Sequence, residues 1–197
     1  MSHYFTDNSN LEHDYKTIEY FINDEKFIFK TDKGVFSREN VDKGTDILLN
    51  ILIKEKINGS VLDVGTGYGV IAIVIKRFFT KTDVVGIDIN PRAVELALSN
   101  ALNANSDIKF LVSDRFKNIK ENYDNIIINP PIRSGKSNIY SMFKESYEHL
   151  NKNGSLWIVI RKKQGSKSAF MEIKKIFNNC DVVKSKKGYE ILKSVKY

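Results

Sequence analysis

From Ser60 onward, short apolar runs alternate with longer segments whose apolar residues recur every three or four positions. Runs of the first kind read as buried strands, and segments of the second kind as amphipathic helices. Strands are expected near 60–65, 83–88, 108–112, 124–129, 154–161, 181–185 and 189–196, and helices over about 69–79, 91–104, 137–151 and 167–178. Pro91 suits the first turn of its helix, where the missing N–H would go unpaired in any case. Strands and helices of these lengths, in alternation, imply parallel β-α-β units with right-handed crossovers, and so a doubly wound α/β sheet of seven strands. Only Lys186-Lys187-Gly188 divides the last two strands, which is close enough for a hairpin and makes the final strand antiparallel.

Ahead of this pattern comes a polar lead of about fifteen residues. Thr17–Phe21 and Lys26–Thr31 then alternate around Asn23-Asp24-Glu25, as a β-hairpin would. Gly34-Val35-Phe36-Ser37 and Asp42-Lys43-Gly44-Thr45 follow, and Ile47–Ile57 has helical spacing closed by Asn58-Gly59. Residues 1–58 are expected to be an extension packed on a main domain of residues 59–197.

A chain of 197 residues, with 42% apolar and 28% charged residues, fits one soluble α/β domain with its own core. No apolar run approaches the ~18 residues that cross a bilayer, and Met1-Ser2-His3-Tyr4-Phe5 does not begin like a signal peptide. The single cysteine, Cys180, excludes an internal disulfide and reads as a small apolar group in a reducing cytoplasm. His3, His13 and His149 are scattered, so no metal is expected. A monomer without membrane contact is the simplest expectation. The net charge of +7 makes the chain moderately basic, but where the cations fall says more than their sum.

Two segments carry the chemistry. Val61-Leu62-Asp63-Val64-Gly65-Thr66-Gly67-Tyr68-Gly69 is an apolar strand running into a glycine turn. Such turns let a ligand approach the backbone and the following helix N-terminus. A dinucleotide fingerprint starting at Gly65 would need glycine where Val70 stands, and no Gly-Lys-Ser/Thr follows for a P-loop. Asp63 lies inside the strand, where a carboxylate suits an amino group better than a pyrophosphate. The second segment is Asn125-Ile126-Ile127-Ile128-Asn129-Pro130-Pro131-Ile132, a buried strand stopped by two prolines that have no N–H to give. It leaves the Asn129 amide and the Pro130 carbonyl at the strand tip, two acceptors able to grip one amino group.

Together the two segments resemble the S-adenosylmethionine-dependent amino-methyltransferases, which pair D-x-G-x-G-x-G with N-P-P. The resemblance implies a Rossmann-like class I methyltransferase fold with S-adenosylmethionine as cofactor. It implies cofactor contacts from Asp63, Gly65, Thr66, Gly67, Gly69, Asp88, Ile89, Ser113, Asp114 and Asn129, with Asp88 on the ribose hydroxyls and Ser113-Asp114 near the adenine. Asn129, Pro130, Pro131 and Ile132 would form the catalytic segment. Relatives often carry an aromatic residue after Pro-Pro, on which a planar target stacks; here Ile132 offers only an apolar wall, and Phe36 could serve instead.

Arg133 and Lys136 follow this segment, and Arg161-Lys162-Lys163 follow the next strand, Trp157-Ile158-Val159-Ile160. Taken singly, each is a solvated surface cation. Gathered at the carboxyl edge of a parallel sheet, they suggest phosphate contacts around the pocket mouth, and a target base in folded RNA would have to unstack to enter. With Gly34–Ser37, Asp42–Thr45, Asn129–Lys136 and Arg161–Gly165, the chain looks like the RsmC-type small-subunit ribosomal RNA methyltransferases, in their compact YbxB-type branch. That resemblance implies transfer to guanine N2 of 16S rRNA, either as naked RNA or as the assembled small subunit. Adenine N6, a protein glutamine, and a catalytically silent cofactor-binding role in ribosome assembly are the alternatives.

Overall fold

The computed structural model describes residues 12–131 and 134–197. Strands β1 (Lys16–Ile22) and β2 (Glu25–Thr31) form the hairpin, turning at Asn23 and Asp24, both with positive φ, as a tight two-residue turn requires. One hairpin face carries Ile18, Tyr20, Ile22, Phe27 and Phe29 into the core. Helix α1 (Lys43–Glu55) is capped by Asp42, whose carboxylate accepts from the Gly44 and Thr45 N–H groups.

The main sheet has seven strands: β3 (Ser60–Val64), β4 (Asp83–Asp88), β5 (Lys109–Val112), β6 (Tyr123–Ile128), β7 (Leu150–Arg161), β8 (Asp181–Lys186) and β9 (Tyr189–Val195). Their spatial order is β5-β4-β3-β6-β7-β9-β8. The strands from β5 across to β7 are parallel, and β9 slots antiparallel between β7 and β8. Helices α2 (Val70–Phe78) and α3 (Pro91–Asn103) share one face with α1 and the hairpin. Helices α4 (Lys136–His149) and α5 (Ser166–Phe177) cover the other. Alternation along β7 serves both layers, with Trp157 and Val159 on the first and Leu156, Ile158 and Ile160 on the second.

Helix α4 stops two residues earlier than the spacing predicts, and β7 starts at once at Leu150. The register slips there, Tyr123 opposing Leu150 while Asn125 opposes Ser155, so β7 bulges. Gly154 permits it, since a Cβ would lie 2.9 Å from the Asn151 carbonyl and 3.0 Å from that of Tyr123. Among the described residues, no helix is long and apolar enough to cross a membrane.

Buried polar groups tie the hairpin segment to the sheet. Asp32 accepts from Arg92 Nη1 at 2.9 Å and from the Asp14 and Lys33 N–H groups at 2.7 Å. Asn100 on α3 donates to the carbonyls of Lys30 and Tyr68 and accepts from Lys30 N–H, bridging β2 to the glycine turn. Arg92→Leu would take the guanidinium from the buried Asp32 carboxylate and leave it His13 and the two backbone donors. Unfolding in urea should register a loss of about 1–3 kcal/mol, below that of a fully broken buried pair because those partners remain. Wild-type stability in this variant would mean the pair does not hold the segment down.

Candidate active site

The strand order reverses between β3 and β6, and a ligand crevice opens at such a switch point, beyond the carboxyl ends of the strands. Val64 pairs with Ile128, so the glycine turn and Asn129 leave the sheet side by side. Gly65 and Gly67 adopt positive φ, and a Cβ on either would meet nothing within 4 Å. Their faces are open to a cavity of about 440 Å³. Gly65 and Thr66 donate to the Ile87 carbonyl, and Gly67 N–H donates to Asp88 Oδ2 at 2.9 Å. Asp88 Oδ1 accepts from Asn90 N–H, so both carboxylate oxygens are aimed by backbone donors. Burial raises this carboxyl above its ordinary range.

Most of the sequence-predicted residues do line this cavity: Gly65, Thr66, Gly67, Asp88, Ile89, Ser113, Asp114, Asn129, Pro130 and Pro131. Ser113 is partly committed elsewhere, donating to the Arg115 carbonyl at 2.7 Å, and Asp114 pairs with Lys117. Ile132 and Arg133 lie outside the described residues.

Asp63 and Gly69 do not line the cavity. Asp63 is fully buried beneath the turn, its Oδ2 accepting from Thr66 Oγ1 at 2.6 Å and from Ala72 N–H at 3.3 Å. It fastens the glycine turn to α2 from below, because its strand position turns it inward. Its other oxygen has no hydrogen-bond partner, and burial pushes the carboxyl up to about 7. Gly69 caps α2, where a Cβ would sit 3.2 Å from Ala97 Cβ, so its smallness serves helix packing.

The expected cationic rim is thinner than five side chains. Of the four within the described residues, Arg161 alone lines the cavity, its Nε donating to Tyr189 Oη at 2.7 Å. Lys136, Lys162 and Lys163 are exposed nearby, with Lys162 3.4 Å from Glu190. The cavity also takes in residues outside the glycine-turn and Asn-Pro-Pro motifs. Asp42 and Thr45 reach Asn129, whose Nδ2 donates to Asp42 Oδ2 at 3.1 Å and to Thr45 Oγ1 at 2.9 Å. Gln164 and Tyr189 close the β7 side, and Arg115 the β5 side. The capping spacing Asp42-x-x-Thr45 was visible in sequence, but nothing local linked it to Asn129. Phe36 lines the cavity from the Gly34–Ser37 turn, which is pinned by Asn90 Nδ2 on the Gly34 carbonyl and Tyr68 Oη on that of Ser37. Among the described residues, no His, Cys, Asp and Glu cluster could hold a metal.

A mostly parallel seven-stranded sheet with an antiparallel last strand, a glycine turn opening on the cavity, and Asn-Pro-Pro on the adjoining strand tip define a class I S-adenosylmethionine-dependent methyltransferase. The chain belongs to the methyltransferase small-domain family, whose model matches residues 26–193. It is 38% identical to the uncharacterized protein YbxB of Bacillus subtilis over 98% of both chains. It is also 38% identical to ribosomal RNA small subunit methyltransferase C of Haemophilus influenzae, over 64% of this chain and 39% of that one. The structure of the Thermus thermophilus 16S rRNA N2 methyltransferase RsmC, in complex with S-adenosylmethionine and guanosine, matches 93% of this chain and 51% of its own with TM-score 0.85 and 21% identity. The chain therefore spans about half or less of these RsmC proteins.

The Asp63 carboxyl makes stability depend on pH. Between its unfolded value of about 3.9 and its folded value of about 7, the unfolded chain releases a proton that the folded protein keeps. Stability should therefore fall as pH rises through this window, by up to about 1.4 kcal/mol per pH unit, and level off above it. Asp63→Asn keeps an acceptor for Thr66 and should remove this share of the slope. Urea unfolding of both proteins at about pH 5 and pH 7 measures it; equal slopes would mean that Asp63 is ionised throughout.

Proposed function

We propose that the enzyme methylates the exocyclic N2 of a guanine in small-subunit ribosomal RNA. The observation that carries this reading is the position of Asn129, beside the glycine turn and in the same cavity as Asp88. RsmC relatives named for small-subunit rRNA support the substrate class. In this reading the open faces of Gly65 and Gly67, with Thr66, receive the methionyl part of the cofactor. Asp88 takes the ribose hydroxyls, and Ile89, Ser113 and Asp114 frame the adenine. Residues 1–58 and 59–197 act as one catalytic unit, a cytoplasmic monomer, with Phe36 as the stacking surface for the target base.

The lone pair of a guanine N2 is delocalised into the ring and is a poor nucleophile. Held by Gly65, Thr66, Gly67 and Asp88, S-adenosylmethionine would supply an electrophilic methyl group, its sulfur keeping the electron pair of the S–C bond as the N–C bond forms, and the amine would give up a proton to solvent. The Asn129 Oδ1 and the Pro130 carbonyl accept the two N–H groups of the amine, turning its lone pair toward the methyl. Positioning of this kind supplies rate without a strong base. Arg161, Lys162 and Lys163, with Lys136 and Arg133, offer charge to the flanking phosphates.

Three measurements test the reading. Labelled methyl transfer to unmodified small subunits and to naked 16S rRNA, followed by nucleoside analysis, should give N2-methylguanosine; a methylated adenosine or glutamine product would replace this substrate. In single turnover, Asn129→Ala should slow transfer by roughly 10²–10³-fold while leaving the S-adenosylmethionine dissociation constant nearly unchanged. Near-normal transfer would reduce Asn129 to a turn residue. Neutralising Lys162 and Lys163 together should flatten the salt dependence of RNA binding by roughly 0.7–0.9 in log–log slope for each lysine that meets a phosphate. An unchanged slope would return both to ordinary surface.

A further inference from the structure

An amide side chain is nearly symmetric in shape, and its oxygen and nitrogen fit the same space. For Asn129 the two orientations have opposite chemical consequences. With the oxygen toward the target, the amide accepts from an amine; with the NH₂ toward it, two sets of donors face each other and the amine is repelled. Something must therefore fix the direction, and the structure holds the group able to do so.

We propose that Asp42 is a positioning residue that sets the polarity of the Asn129 amide. The proposal rests on the role given to Asn129 above. Asp42 lies 87 positions away in sequence, yet its Oδ2 receives Asn129 Nδ2 at 3.1 Å. Thr45 Oγ1 receives the same nitrogen at 2.9 Å, but a hydroxyl can donate as well as accept and so fixes no direction. A carboxylate offers only acceptors, so only the NH₂ end of Asn129 can face it. The Asp42 carboxylate is itself immobile, because the same Oδ2 caps α1, accepting from Gly44 N–H at 2.8 Å and from Thr45 N–H at 3.1 Å. All three side chains line the cavity. Through this anchor, the segment before β3 orients the catalytic amide at the tip of β6.

Asp42→Ser separates this role from plain capping. Serine caps a helix about as well as aspartate, so the melting temperature and the S-adenosylmethionine dissociation constant should stay at wild-type values. Its hydroxyl can accept the cap bonds and still either donate to Asn129 or accept from it, so the catalytic amide loses its fixed direction. Single-turnover methylation should fall by roughly 10–100-fold, a part of the loss from deleting such a group outright, with KM for RNA little changed. Wild-type turnover in Asp42→Ser, or a loss that comes with a matching rise in KM or a fall in melting temperature, would overturn the proposal. If Asn129→Ala also transfers normally, the reading of Asn129 fails first. Should the wild-type enzyme methylate no rRNA form, the substrate fails instead. The proposal is then read from the Asn129 side-chain NH₂ by NMR, assigned through its absence in Asn129→Ala. Slow hydrogen exchange there, lost in Asp42→Ala, is the expected result; rapid exchange in the wild type would overturn it.

Discussion

The active edge depends on the parallel pairing of β3 with β6, in which Val64 stands opposite Ile128. Beyond that last pair each strand does the one thing the other cannot. β3 opens into glycines whose backbone a ligand can approach, and β6 stops against two prolines that cannot extend the ladder. A slip of one residue would turn Ile126, Ile127 and Ile128 to the wrong layers, so the two hydrophobic cores hold the register and the register holds the site.

The segment preceding β3 is part of this arrangement. The hairpin and α1 share one apolar cluster with α2, α3 and the sheet. Buried polar links then fix where the segment lies: Asp32 with Arg92, Asn100 with Lys30 and Tyr68, and Asn90 with the Gly34 carbonyl. Hydrophobic burial would tolerate some sliding, whereas hydrogen bonds of fixed direction do not. Phe36 and Asp42 are thereby held over a crevice built by residues of other elements.

The glycine turn divides its labour between two faces. Gly65 and Gly67 look into open space, while Asp63, Thr66 and Gly69 hold the loop against the sheet and α3. A turn that must present bare backbone to a ligand cannot also be braced from that side, so its bracing comes from beneath. A buried carboxyl is a costly brace, as its raised protonation range records.

The sequence by itself determined the order of strands and helices, the hairpin, the antiparallel last strand, the glycine turn and the strand ending in Asn-Pro-Pro, because each is written in local periodicity or in the backbone chemistry of glycine and proline. Most of the site residues it marked line the cavity. Tertiary structure decided which way each side chain looks. Asp63 reads as a ligand group by motif and proves to lie under the turn, since strand alternation together with the helices above sets its direction. Of the basic rim, Arg161 alone among the described residues reaches the cavity, since strand order places segments and not the tips of long side chains. The bond from Asn129 to Asp42 had no local signal at all, because a hydrogen bond across 87 positions exists only once two distant segments have been packed against the same sheet.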